Sequence, residues 1–299
     1  MSDKVIIFVA DEAYCPHYRA LAVNCRNEGQ YEGDFLWIVP DDADDWAKDL
    51  ERRGFRVLSV SDRGFLAKFQ IFNPYLRNWE QAMYLDADVI VQRPLQSLFD
   101  QLTAWPREAD AASFGAFHRK RIIACREEVP VFMGWQIWDK EWKDHTAIYE
   151  DMSKRFPHVL TADKMWNTAI LLYEPVSIPN DTIERLRLYQ NEFAICNDPT
   201  KGGTDEPIID LLMHNQMAQV GEKGWCYWGL DEHNARVPSI SRGWLGEEIP
   251  VILHYTRWYS AWINKPPDTD AYMQHRLGRP CHDIYLDNLA AFENTFPAK

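Results

Sequence analysis

Between Lys4 and Val91 the chain alternates short apolar segments with segments of helical spacing, and few folds accept that order. Lys4 to Ala10 is apolar, Pro16 to Asn27 has the spacing of a helix, and Asp34 to Val39 is apolar again. A polar helical stretch from Asp42 to Arg53 follows, then Phe55 to Val60, then a helical turn through Leu66, Phe69 and Phe72, then a strand over 82–91. This order predicts β-α-β units with right-handed crossovers, a mostly parallel central sheet and helices on both of its faces, an α/β class of nucleotide-binding type. Sheets of that kind place ligands in the crevice beyond the carboxyl ends of their strands, so the residues that follow each strand are the first candidates for chemistry.

The strand at 82–91 carries Tyr84-Leu85-Asp86-Ala87-Asp88-Val89-Ile90-Val91. Alternate residues of an extended backbone point to one side, so Asp86 and Asp88 can converge on one cation, and the apolar flanks predict a strand buried on both faces. A strand running into an acidic turn has the same local sequence. The first strand ends in Ala10-Asp11-Glu12-Ala13-Tyr14, an acidic and aromatic edge that can hydrogen-bond and stack on a base or ribose, or in which Asp11 simply caps a helix. Neither G-x-G-x-x-G nor G-x-x-x-x-G-K-[ST] follows that strand, which disfavours a dinucleotide dehydrogenase or a P-loop enzyme.

The formal charge of −13 repels a polyphosphate backbone. Nucleic acid is therefore not an expected partner, and a bound phosphate needs a cation or a local cluster of bases. Six cysteines without a C-x-x-C pair suit reduced thiols, and with no transmembrane segment or signal core in the sequence the expectation is a cytoplasmic protein. With 46% hydrophobic residues in 299, the chain can bury one large core.

Beyond residue 100 the pattern loosens. A loop at Pro106 to Asp110, a strand near Ala112 to Phe117 and a tryptophan-rich stretch from Trp135 to Trp142 precede a strand at Ala169 to Tyr173. Helices from Asp181 to Ile195 and from Asp205 to Gln219, a strand at Pro250 to Tyr255 and a short helix around Asp283 to Phe292 complete the reading. The expected division is one domain over 1–265, with a nucleotide-binding half (1–100) and an acceptor half (101–265), and a tail over 266–299 packed back on it. Nine of the thirteen tryptophans lie after residue 130, where flat rings can serve as core or as platforms for sugar C–H faces.

Six segments in order resemble glycosyltransferase family 8, the glycogenin-like group with the GT-A fold. They are Phe8-Val9-Ala10-Asp11-Glu12-Ala13-Tyr14, Ala67-Lys68-Phe69-Gln70-Ile71-Phe72, Tyr84-Leu85-Asp86-Ala87-Asp88, Trp166 to Pro175, Gly202-Gly203-Thr204-Asp205-Glu206 and Ile252-Leu253-His254-Tyr255. The resemblance implies a transferase that moves a hexose from a nucleotide-sugar, a UDP-hexose, to a glycan or other hydroxyl acceptor with retained anomeric configuration. It implies a divalent cofactor, Mn²⁺ or alternatively Mg²⁺, on Asp86, Asp88 and His254, and oxygen and imidazole donors suit such ions better than thiolate-seeking ones. Ala10, Asp11, Tyr14, Lys68, Asp86, Ala87 and Asp88 would then bind the donor, and Asp205, Glu206 and Asn167 would surround the transferred sugar. Two departures stand out: Glu206 occupies a position where the family has glutamine, and the basic residues after His254 come at Arg257 and Lys265, a longer spacing than the family's, so either could meet the diphosphate. Those departures leave open a nucleotide- or carbohydrate-binding module that has lost transfer. A D-x-D phosphohydrolase is a weaker alternative, because such enzymes commonly carry the acidic pair on the first strand.

Overall fold

The computed structural model describes residues 2–104, 122–126, 146–156, 166–193, 205–218, 226–229, 251–255 and 281–299. β1 (Lys4–Val9), α1 (Cys15–Asn27), β2 (Asp34–Pro40), α2 (Asp44–Arg52) and β3 (Arg56–Val60) follow one another as the alternation predicts. Two 3-10 segments, Gly64–Phe72 and Pro74–Asn78, lead into β4 (Gln81–Leu85). These four strands lie side by side and parallel in the order β3-β2-β1-β4. Along β1, Ile6 and Phe8 enter the core beneath α1, while Val5 and Ile7 pack with Phe69, Ile71 and Leu76 on the opposite face. A strand covered on both faces must be apolar at nearly every position, which is why β1, β2 and β4 read as unbroken apolar runs. Gly54, at φ +85°, turns the chain out of α2 in the left-handed region, and the Phe55 N–H then donates to the Leu50 carbonyl at 3.1 Å as β3 begins.

The strand expected over 82–91 is broken. β4 stops at Leu85, Asp86 to Asp88 turn, and β5 (Val89–Val91) enters a different sheet. The cause lies far away in sequence. Asn24, buried in α1, donates from Nδ2 to the Val91 carbonyl at 3.0 Å and accepts the Val91 N–H at Oδ1 at 2.7 Å, tying the chain beyond the acidic pair to the helix. A periodicity argument cannot see a clamp set 67 residues upstream.

After α3 (Gln96–Ala104) come β6 (Ile122–Arg126), α4 (Thr146–Arg155), β7 (Trp166–Tyr173), α5 (Thr182–Glu192), α6 (Glu206–Met213), β8 (Met217–Ala218), β9 (Cys226–Gly229), β10 (Ile252–Tyr255) and α7 (Cys281–Thr295). β7 joins the main sheet antiparallel to β4, giving the seven-stranded order β3-β2-β1-β4-β7-β6-β8, and β5, β10 and β9 form a second sheet. The loop at Pro106 to Asp110, the strand near Ala112 to Phe117 and the Trp135 to Trp142 stretch lie outside the described residues.

The C-terminal helix is longer than its sequence suggests, and its apolar face closes the core. Phe292 and Phe296 on and after α7 join Phe35 and Phe55 in one aromatic cluster, and Arg53 donates to the Phe296 carbonyl at 2.8 Å. Among the described residues, no helix is long and apolar enough to cross a membrane.

Candidate active site

The carboxyl ends of β1 to β4 open on one cavity of about 600 Å³. Ala10, Asp11 and Tyr14 line it after β1, Pro40 at the end of β2, Asp62, Arg63, Gly64 and Phe65 after β3, and Asp86, Ala87 and Asp88 after β4; Lys68 and Asp205 complete the wall. All but Lys68 and Asp205 are there because a parallel strand ends at that point, which is the geometry the sheet order demands. Among the described residues, the lining holds five carboxylates (Asp11, Asp62, Asp86, Asp88 and Asp205) against two cations, Arg63 and Lys68.

Lys68 is the hub. It lies in the 3-10 segment that follows Gly64, whose φ of +55° starts that turn, and its side chain is buried. Its ammonium sits 2.8 Å from Asp205 Oδ2 and 3.2 Å from Asp86 Oδ1, and it donates to Thr168 Oγ1 at 3.2 Å. The Thr168 hydroxyl donates in turn to Asp205 Oδ2 at 3.0 Å, and the Tyr84 hydroxyl donates to Asp86 Oδ1. Burial opposes the charge on Lys68, but the Asp205 and Asp86 carboxylates outweigh it and hold the ammonium above the ordinary lysine range. Burial, followed by the charge of Asp86, keeps the Tyr84 hydroxyl well above the usual phenol range, so it remains a donor to that carboxylate.

The two acids of the D-x-D pair are positioned by different neighbours. The Asp86 N–H donates to the Ala169 carbonyl at 2.8 Å, extending the β4–β7 ladder one residue past the end of β4. Asp88 stands at the start of β5, and β10 runs antiparallel to β5 with His254 opposite Val89, the next residue along. The backbone of His254 therefore lies beside the acidic turn, while its side chain is not among those described, and Arg257 and Lys265 lie outside the described residues. Among the described residues no three His, Cys, Asp or Glu side chains gather as a metal-ligand group.

Asp11 accepts the Tyr14 N–H at 3.0 Å and so shapes the turn into α1, while both residues face the cavity. Asn167 is buried in β7, with its Oδ1 accepting the Ala169 N–H at 3.0 Å, and Glu206 opens α6; neither lines the cavity. Thr168, Tyr84 and Arg63 were not singled out in the sequence. Tyr84 carried a usable signal, since it stands two residues before Asp86 on one side of a strand. Thr168 carried a fainter one, a hydroxyl in a strand buried at all eight of its positions.

No family model matches this sequence, and no curated protein does. Solved structures do match. GlyE of Streptococcus pneumoniae TIGR4, a glycosyltransferase, aligns with a TM-score of 0.57 at 16% identity over 100% of this chain and 66% of its own. The galactosyltransferase LgtC, solved with donor and acceptor sugar analogues, aligns with a TM-score of 0.57 at 14% identity over 96% of this chain and 95% of its own. The fold is GT-A. WbbM, a bifunctional glycosyltransferase, aligns with a TM-score of 0.55 at 13% identity, and the chain spans half of it and about two thirds of GlyE. The GT-A fold accounts for the cavity at the strand ends. At these identities the likeness fixes architecture, and chemistry has to be argued from the side chains.

Proposed function

We propose that this chain transfers a hexose from a UDP-sugar to a hydroxyl acceptor, with a divalent metal bound and the anomeric configuration retained. One observation carries the reading: among the described residues the cavity at the strand ends is lined by five carboxylates and two cations, both cations already paired with acids. A diphosphate brought into such a field is repelled unless a cation accompanies it. The donor set fits that cation, because Asp86 and Asp88 offer hard oxygens at the cavity wall and the backbone of His254 runs beside them. Asp86, Asp88 and His254 would hold Mn²⁺ or Mg²⁺, which would neutralise charge developing on the departing nucleoside diphosphate.

The chain's own groups supply the rest. Tyr14 and Asp11 stand where a base and ribose would lie against the end of β1, and Lys68 places a fixed positive charge between the acidic turn and Asp205. Asp205, in the same wall, would accept hydrogen bonds from the transferred sugar. Arg257 or Lys265 is assigned to the diphosphate. Glu206 stands where the resembled family carries glutamine, an exchange that adds negative charge at that position; LgtC has been solved as an active-site Gln-to-Glu mutant.

Calorimetry with UDP tests the reading. UDP should bind with Mn²⁺ and lose its affinity in EDTA; equal binding in EDTA, or no binding in either, overturns it. A second reading, binding without transfer, is favoured by the placement of Asn167 and Glu206 off the cavity wall. Release of UDP from UDP-glucose or UDP-galactose, in the presence or absence of acceptor, excludes it.

A further inference from the structure

Two consecutive residues of β7 hold the two acids on either side of Lys68. The Ala169 carbonyl accepts the Asp86 N–H at 2.8 Å, and the Thr168 hydroxyl donates to Asp205 Oδ2 at 3.0 Å. β7 is a central strand, buried at every residue and paired on both sides, so its atoms are among the least movable in the molecule. Asp205 is the N-cap of α6 and its side chain caps no backbone N–H of that helix; among the described residues its carboxylate is held by Lys68 and by Thr168. The hydroxyl of Thr168 is what connects it to the sheet.

We infer that Thr168 is a positioning residue that fixes the carboxylate of Asp205 for the reaction. A hydroxyl has one proton and two lone pairs, so Thr168 can donate to Asp205 and accept from Lys68 at once, closing a ring of contacts at 2.8, 3.0 and 3.2 Å. Asp205 Oδ2 is then taken by two donors, which fixes the plane of the carboxylate at the cavity wall. The side chain of Asp205 is only 14% exposed, so a carboxylate freed from the ring would have few solvent contacts to replace it and would settle against Lys68 in another orientation. Valine has the same shape as threonine, and the strand is apolar apart from Asn167 and Thr168; the hydroxyl is there for its hydrogen bonds.

This inference rests on the transferase reading, and the test separates the two. Thr168→Val and Thr168→Ser are compared with wild type for kcat/KM on a UDP-hexose, for UDP affinity with Mn²⁺, and for the orientation of Asp205 in crystals. Thr168→Val should lose about tenfold or more in kcat/KM, as expected for a hydrogen bond to a charged group, with UDP affinity within about twofold of wild type. Thr168→Ser should recover most of the loss. Wild-type kcat/KM in Thr168→Val, a serine variant as impaired as the valine one, or a parallel loss of UDP affinity overturns the positioning role. An Asp205 carboxylate unmoved in Thr168→Val crystals overturns it without reference to any activity. A wild-type protein that neither transfers nor hydrolyses any UDP-hexose overturns the transferase reading, and this inference with it.

Discussion

Two ion clusters in this molecule use the same chemistry for opposite ends. At the cavity, one buried lysine lies between two acids, Asp86 and Asp205, and the sum is negative. At the far side of α1, one acid, Asp49, lies among three bases: Arg53 at 2.9 Å, Arg19 at 3.1 Å and Arg52 at 3.6 Å, and Arg53 also reaches Glu293 of α7 at 2.5 Å. The guanidinium groups of Arg19 and Arg53 sit 5.0 and 5.4 Å from the centre of the Phe292 ring. The second cluster has one base in excess, Arg52, whose side chain lies mostly in solvent, and its other charges and aromatic faces are shared between α1, α2 and α7 within the chain. The first has acid left over and faces a cavity. Surplus charge of one sign at an opening calls for a ligand, whereas a cluster satisfied from within serves as an internal fastening.

Variants should divide along that line. Phe292→Ala removes the ring that both arginines cover, and unfolding in urea should show a loss of about 3–5 kcal/mol with turnover per folded molecule unchanged. Asp88→Ala should do the reverse: turnover falls about a hundredfold, or about 3 kcal/mol, while the unfolding free energy without nucleotide stays within about 0.5 kcal/mol of wild type. A variant at Asp88 that unfolds early, or one at Phe292 that folds normally but has lost activity, would erase the distinction. Asp49→Asn is the smallest test, expected to lower stability by about 1 kcal/mol at neutral pH.

The pH dependence of that last effect has a definite sign. The Arg53 hydrogen bond to Asp49 overcomes the opposing effect of burial, and with the charges of Arg53, Arg19 and Arg52 it holds the carboxyl below its usual range. A carboxyl whose folded value lies below its unfolded value contributes fully above about pH 4, and the contribution disappears as pH falls through the folded value. The stability gap between wild type and Asp49→Asn should therefore close in acid; a gap constant from pH 7 to pH 2 would assign it to something other than this charge.

The readable part of the fold was the parallel half. β1 to β4 and the helices between them depend on local periodicity and on the requirement that a doubly covered strand be apolar, and both are written in short stretches of sequence. The continuous strand over 82–91 failed because its break depends on Asn24. The C-terminal helix was underestimated for a related reason, since the value of Phe292 and Phe296 appears only once Phe35 and Phe55 are beside them. At the site, Asp11, Tyr14, Lys68, Asp86, Asp88 and Asp205 were named from the residues or from the family resemblance, and the fold brings all six to one cavity.

By itself, then, the sequence determined that this is an α/β protein whose first strands run parallel, and that an acidic pair belongs to the segment of the fourth. Those properties follow from neighbours in the chain. Only the tertiary structure decided that the pair sits in a turn between two sheets, that Lys68 lies between Asp86 and Asp205, and that a threonine of β7 ties one of those acids to the sheet. Such contacts join residues as far apart in the chain as Lys68 and Asp205, and it is the energy of packing the whole core that brings them to between 2.8 and 3.2 Å of each other.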